Sequence, residues 1–254
     1  MNTKINVLGV QVSSINLVQA VATIDHWIKE RSSPRYVCVT GVHGVMESQK
    51  DPELRRIHNA ADMVTPDGMP LVWLNRLYGQ KHVSRVYGPD LMLRICELSR
   101  QRQLTHFLYG GAPGVALDLK RSLEERFPGL RVVGTFTPPF RPLSPAEESD
   151  LLRSVAETKP DIFWVGLSTP KQEKFMAEYW QKLEARLFFG VGAAFDFHTG
   201  RIPQAPRWMQ RCGLEWLFRL KCEPRRLWKR YCKNNPLFLL RAMAQLLRIR
   251  KYTL

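Results

Sequence analysis

Two short runs constrain this chain more than any other feature. Ile162-Phe163-Trp164-Val165 and Leu187-Phe188-Phe189-Gly190-Val191 carry no polar side chain. A strand whose successive residues are all apolar must be covered on both faces, because its side chains alternate between them. That disfavours an antiparallel sheet with one wet face and points to a parallel sheet between helical layers. Further strands are expected at 5–12, 36–42, 62–65, 105–109 and 131–136, beside 162–166 and 187–191. Helical patterns fall between them at 17–31, 90–102, 115–127, 145–158 and 170–183. Alternating β and α elements imply a Rossmann-like α/β fold: a mostly parallel sheet with helices on both faces. Ser144-Pro145-Ala146-Glu147 supports the pattern, with Ser144 as N-cap and Pro145 in the first turn, and Thr169-Pro170 repeats the device.

Charge divides the chain. The net formal charge is +15, and residues 201–254 hold fourteen Lys and Arg against two acids, Glu215 and Glu223. The expected organisation is a catalytic domain over 1–200 followed by a basic helical appendage over 201–254. Such a segment meets an anion: nucleic acid, an anionic membrane or a phosphorylated substrate. The five cysteines are odd in number and form no C-x-x-C pair, so neither a disulfide framework nor a zinc site is expected. No apolar run approaches the about 20 residues that span a bilayer, and residues 1–6 show no leader.

Ligands of open α/β sheets sit beyond the carboxyl ends of the strands. The residues expected there are Thr40-Gly41-Val42-His43-Gly44, Thr65-Pro66-Asp67-Gly68, Tyr109-Gly110-Gly111-Ala112-Pro113-Gly114, Gly166-Leu167-Ser168-Thr169-Pro170-Lys171-Gln172 and Gly190-Val191-Gly192. A glycine turn opening a helix can present N–H groups to phosphate, and it can equally serve packing. Asp67 is the best-placed carboxylate for a general base, and an Asp before Gly also forms ordinary turns. Asp90 reads as a helix N-cap. His43 and Gln172 read either as ligand contacts or as a turn histidine and an exposed first-turn glutamine. Asp196 and His198 do not by themselves make a metal site.

The appendage interleaves cations with tryptophan, at Arg207-Trp208, Trp216, Arg219, Arg225-Arg226 and Trp228-Lys229-Arg230. After Pro236, Leu237, Leu240, Ala244 and Leu247 share one helix face, and Arg241, Gln245 and Arg248 another. An amphipathic helix of this kind suits the headgroup region of a membrane. It could also pack its apolar face on the body, or bind single-stranded nucleic acid. The apolar face has no use in the last case.

These motifs together resemble the WecG/TagA/CpsF glycosyltransferases (glycosyltransferase family 26). The resemblance rests on Thr65-Pro66-Asp67-Gly68, Arg85-Val86-Tyr87-Gly88-Pro89-Asp90-Leu91 and Tyr109–Gly114. It rests further on the stretch from Val165 to Lys174, on Ala205–Gln210 and on Gly213–Leu220. It implies an inverting transfer from a UDP-sugar to a sugar on a polyprenyl diphosphate, in surface or exopolysaccharide synthesis, with no metal and no cofactor. It implies Asp67 as base, Thr40 near the acceptor, and Gln172 with Gly110, Gly111 and Gly114 at the donor nucleotide. His43, Arg219, Arg225 and Arg226 are expected at the acceptor and its diphosphate. Many members carry an asparagine where Gly41-Val42-His43 stands here, so His43 is expected to replace it. The expected location is peripheral, on the cytoplasmic face of the inner membrane. The expected partners are the two substrates and an anionic membrane surface, without nucleic acid, and with a homo-oligomer left open. A nicotinamide enzyme is disfavoured, since no G-x-G-x-x-G follows the first strand. The remaining alternative is a basic nucleic-acid-binding or non-catalytic nucleotide-binding module.

Overall fold

The computed structural model of the chain describes residues 3–30 and 33–254, and the two all-apolar runs are the central strands of its main sheet. In chain order the elements are β1 (Lys4–Val7), β2 (Val10–Ser13), α1 (Leu17–Glu30), β3 (Arg35–Thr40), α2 (Val42–Ser48), α3 (Pro52–Ala60) and β4 (Met63–Pro66). There follow α4 (Met69–Leu77), α5 (Gly88–Arg102), β5 (Thr105–Gly110), α6 (Val115–Arg126), β6 (Arg131–Phe136), α7 (Pro145–Thr158) and β7 (Ile162–Gly166). The rest are α8 (Lys171–Tyr179), β8 (Leu187–Gly190), α9 (Ala194–His198), α10 (Arg207–Arg211), α11 (Glu215–Cys222) and α12 (Pro224–Leu246). The sheet is parallel and flanked by helices, with strand order β4-β3-β8-β7-β5-β6. This is the Rossmann-like class expected.

The chain divides into two compact units. One comprises residues 21–38 and 88–201, the other 1–20, 39–87 and 202–254.

In the first of these, aromatic rings fill both faces of the sheet. Phe163 stacks on Phe107 and meets Phe188, and Tyr109 stacks on Phe175 of α8. On alternate positions Trp164 meets Phe189 and His106. At the amino ends of the strands, Asp161 accepts from the Thr105 amide and hydroxyl and from Arg186. The capping box of α7 forms as read, Ser144 accepting from the Glu147 amide while Glu147 accepts from the Ser144 amide.

The second unit holds an antiparallel hairpin, β1–β2, where one strand over 5–12 was expected. Leu8 and Gly9 both take positive φ, 50° and 85°, and Asn6 closes the turn by accepting from the Gly9 amide. Leu8 is fully buried, which holds a branched residue in a conformation it seldom adopts. The helix α2 begins at Val42, within the loop expected over 40–44, and α3 and α4 lie in segments not expected to be helical. The helix start at 170–183 also differs: Thr169 is no cap, α8 beginning after Pro170. Asp90 sits in the first turn of α5 rather than capping it. The expected helix end at Arg31 lies outside the described residues.

The helix α12 runs through Pro236 instead of starting after it. It docks by Phe238 and Ala242, and by Gln245, whose amide accepts from the Leu8 amide and donates to the Asn6 carbonyl. Gln245 therefore does not line a solvent face with Arg241. Of the expected apolar face, Leu240 and Leu247 are outward, 67% and 66% exposed, with Leu239, Met243 and Leu246 beside them, while Leu237 and Ala244 are half-buried. No helix among the described residues is long and apolar enough to cross a membrane.

The sheet interior carries one titration consequence. His106 is fully buried, and its Nδ1 accepts from Trp164 Nε1 at 2.9 Å. Burial pushes its pKa down from 6.5 to about 3, against the pull of Asp161. The unfolded chain therefore binds a proton that the folded chain refuses, so stability falls as pH drops from 6.5 towards 3. The slope attributable to this group is about 1.4 kcal/mol per pH unit. Urea denaturation across that window should show it, and a His106→Gln variant should lose it.

Candidate functional site

In the unit that contains β4, the ends of β3 and β4 are tied together: the Asp67 amide donates to the Thr40 carbonyl at 3.0 Å. Asp67 follows β4 directly, and Gly68 opens α4. The carboxylate is part-exposed.

Thr40 is 2% exposed, and its hydroxyl lies 3.0 Å from His58 Nε2. His58 Nδ1 faces the Leu54 carbonyl at 3.0 Å, which can only accept, so Nδ1 carries the proton. Ser48 Oγ, 3.1 Å from the same nitrogen, donates to the Gly44 carbonyl. His58 Nε2 is then bare, and the Thr40 hydroxyl donates to it. Thr40 presents lone pairs, not a proton, to anything else it meets. Gly44 allows this, since a Cβ there would stand 2.9 Å from Thr40 Cγ2.

Arg85 is the charge centre beside Asp67. Its Nε donates to the Asp67 carbonyl, Nη2 stands 3.7 Å from Asp67 Oδ1, and Nη1 pairs with Glu215 at 2.6 Å. The guanidinium also lies over the Tyr87 ring, 3.9 Å from its centroid. Burial would lower the pKa of Arg85, but Asp67 and Glu215 outweigh it and hold it above the ordinary arginine value. Tyr87 is pushed up, by burial first and then by the same two carboxylates.

Cations gather in the same unit. Arg219 and Arg226 share Glu223, at 3.9 and 2.6 Å. Arg230 is half-buried, and desolvation together with the like charges of Arg219 and Arg226 lowers its pKa to about 10, against the pull of Tyr231 and Glu47. It stays charged at neutral pH. Its Nε has no partner among the described residues. Arg225 is exposed. His43, in the first turn of α2, lies 3.1 Å from the buried Asn234 of α12 and 3.7 Å from Glu47.

In the other unit, the glycines after β5 divide by role. A Cβ on Gly110 would stand 2.6 Å from the Gly166 carbonyl oxygen, and one on Gly111 would stand 2.7 Å from Val115 Cβ. The Gly111 amide already donates to Gly166. Close packing of β5, β7 and α6 accounts for both. Gly114, the left-handed N-cap of α6, has only Arg201 nearby, at 3.8 Å. Gln172 is 3% exposed, so it is no solvent-facing first-turn residue. His198 bonds the Pro89 carbonyl, and no group of three potential metal ligands occurs among the described residues.

Residues 5–252 match the family model for the glycosyl transferase WecG/TagA/CpsF family. The chain belongs to that family. Similar proteins include two named N-acetylglucosaminyldiphosphoundecaprenol N-acetyl-beta-D-mannosaminyltransferase. The one from Bacillus spizizenii (strain W23) is 28% identical over 184 residues, covering 72% of this chain and 69% of the relative. The one from Bacillus subtilis (strain 168) is 28% identical over 181 residues, covering 71% and 68%. The chain is thus a glycosyltransferase.

Several residues of the candidate site escaped the sequence reading. Arg85 and Tyr87 stood within a quoted motif without a role. Glu215 had a signal, as one of two acids in a strongly basic segment. Arg230 stood among the cations interleaved with tryptophan, without a role, and His58 and Asn234 had no signal, because their partners lie far along the chain.

The Arg85 centre is testable by itself. Arg85→Met leaves the Glu215 carboxylate, which is mostly buried, without its cation, and should cost about 3–5 kcal/mol in urea unfolding. Arg85→Lys should restore only part, because one ammonium cannot meet Asp67, Glu215 and the Tyr87 face together.

Proposed function

We propose that this transferase moves a sugar from a UDP-sugar to a saccharide on a polyprenyl diphosphate, with inversion and without a metal, at the inner face of a bacterial membrane. The observation that carries the reading is the Asp67 carboxylate, standing after β4 with Arg85 beside it, in the same unit as the Arg219–Arg226–Arg230 cluster. The names of the two relatives supply the first substrates to try: N-acetylmannosamine as the sugar, and N-acetylglucosaminyl diphosphoundecaprenol as acceptor.

In this mechanism Asp67 takes the proton from an acceptor hydroxyl as its oxygen attacks C1 of the donor sugar. The bond from C1 to the nucleotide diphosphate breaks, and its electron pair leaves with that phosphate oxygen. Attack opposite the leaving group inverts C1. Thr40, its own proton held by His58, accepts from a substrate hydroxyl. Arg219, Arg226 and Arg230 hold the acceptor's diphosphate. Three cations near two carboxylates leave net positive charge, and the unpartnered Arg230 Nε is a donor awaiting an acceptor atom. Gly114 and Gln172 serve the donor nucleotide. His43, oriented by Asn234, stands where many members carry asparagine.

Membrane contact is supported by the outward apolar stripe of α12. Leu240, Met243 and Leu247 lie on the side of the helix away from Phe238 and Ala242, flanked by the exposed Leu239 and Leu246, with Arg241, Arg248, Arg250 and Lys251 close in sequence. That pairing of exposed apolar and cationic side chains suits the headgroup boundary and has no use in nucleic-acid binding.

Two measurements test the reading. With UDP-N-acetylmannosamine, a short-chain lipid-linked acceptor and EDTA, acceptor-dependent UDP release is expected. Asp67→Asn should reduce it at least about 100-fold, the contribution of a positioned base, without loss of fold; near-normal turnover would refute the assignment. Separately, replacing Leu240, Met243 and Leu247 together by serine should weaken binding to anionic vesicles at least about tenfold, from the apolar area removed. Because those side chains are exposed, the unfolding midpoint should stay unchanged.

A further inference from the structure

Two buried oxygen atoms at the carboxyl ends of β7 and β8 have no hydrogen-bond partner among the described residues: Gln172 Oε1 and Glu173 Oε2. Both residues are nine-tenths buried or more, at 3% and 0% exposure. The amide orientation of Gln172 is determined by its neighbour. One of its terminal atoms lies 3.0 Å from Glu173 Oε1, a carboxylate oxygen that can only accept, so that atom is the nitrogen. Glu173 Oε1 is filled further by the Thr169 hydroxyl at 2.8 Å. The two remaining oxygens are therefore acceptors, on side chains joined by a hydrogen bond. Leaving such groups buried and unmet costs stability, which marks the place for a ligand.

Two glycines, Gly190 and Gly192, lie against the Gln172 amide, and Met176 lies beside Gly190. A Cβ on Gly192 would stand 3.5 Å from Gln172 Oε1, and one on Gly190 would stand 3.1 Å from its Nε2. The required ligand brings two donors. A phosphate is repelled by the carboxylate, and a uracil imide brings one N–H flanked by carbonyls that would face acceptors. A vicinal diol supplies two O–H groups and no anion, and acidic side chains at the ends of parallel strands bind diols of this kind.

We infer that Gln172 and Glu173 together bind a vicinal diol of the donor, Glu173 being a donor-binding residue in its own right. This rests on the reading of the chain as a user of nucleotide sugars. The diol belongs either to the ribose or to the transferred sugar.

Calorimetric titration of the full chain with UDP, 2′,3′-dideoxy-UDP and UDP-N-acetylmannosamine decides it, on wild type and Glu173→Gln. If the diol is the ribose, wild type binds UDP at least about tenfold more tightly than the dideoxy analogue, and Glu173→Gln narrows that gap. If it is the sugar's, UDP and the analogue bind alike, and the gain of UDP-N-acetylmannosamine over UDP shrinks in the variant. Wild type showing neither gap overturns the inference even if the variant fails to fold. So does a folded variant that keeps both gaps. Normal UDP binding with those results overturns the diol site alone. No binding of any of the three overturns the nucleotide-donor reading with it.

Discussion

Two-sided burial of β7 and β8 is the constraint on which the rest depends. Phe163 and Phe188 need cover on one face, Trp164 and Phe189 on the other, and only a parallel sheet between helices supplies both. A parallel sheet aligns its carboxyl ends on one edge. In one unit Gly110 pairs with Gly166, and in the other the Thr40 carbonyl accepts from the Asp67 amide. The opposite edge is closed by Asp161, with Thr105 and Arg186 satisfied.

The second theme is what polar groups do once water is withdrawn. Arg85 joins two carboxylates, a carbonyl and a ring, so its charge stays on although it is mostly buried. His106 answers the same withdrawal by staying neutral. Thr40 is made a pure acceptor by a histidine that must itself donate to Leu54. Each group's protonation and direction follow from its neighbours. The C-terminal segment takes part directly: Glu215 completes the Arg85 centre, Asn234 meets His43, and Gln245 ties α12 to the hairpin.

Local pattern served well where one physical signal dominated. Ser144, Pro145 and Glu147 announced α7, and all-apolar runs announced β7 and β8. It failed where tertiary contacts overrode it. The reversal at Leu8-Gly9 lacks the usual Asn-Gly signal, because burial of Leu8 supports the strained φ. Pro236 reads as a start, yet α12 continues through it, held on either side by Asn234 and Phe238. The α2 helix was hidden by Gly41 at its N-cap and by Gly44 inside it, the latter lying against Thr40 and His58.

By itself the sequence determined the fold class, the family and the positions of Asp67, Thr40 and Gln172 at strand ends, because two-sided burial and short motifs are local properties. Only the tertiary structure decided which face of α12 is left outward and that Arg85 joins Asp67 to Glu215. It also decided that Arg230 belongs with Arg219 and Arg226, and that Glu173 keeps an oxygen unmet. Those are facts about partners brought together from distant points of the chain, and charge and hydrogen bonding depend on distance in space, which the order of residues does not contain.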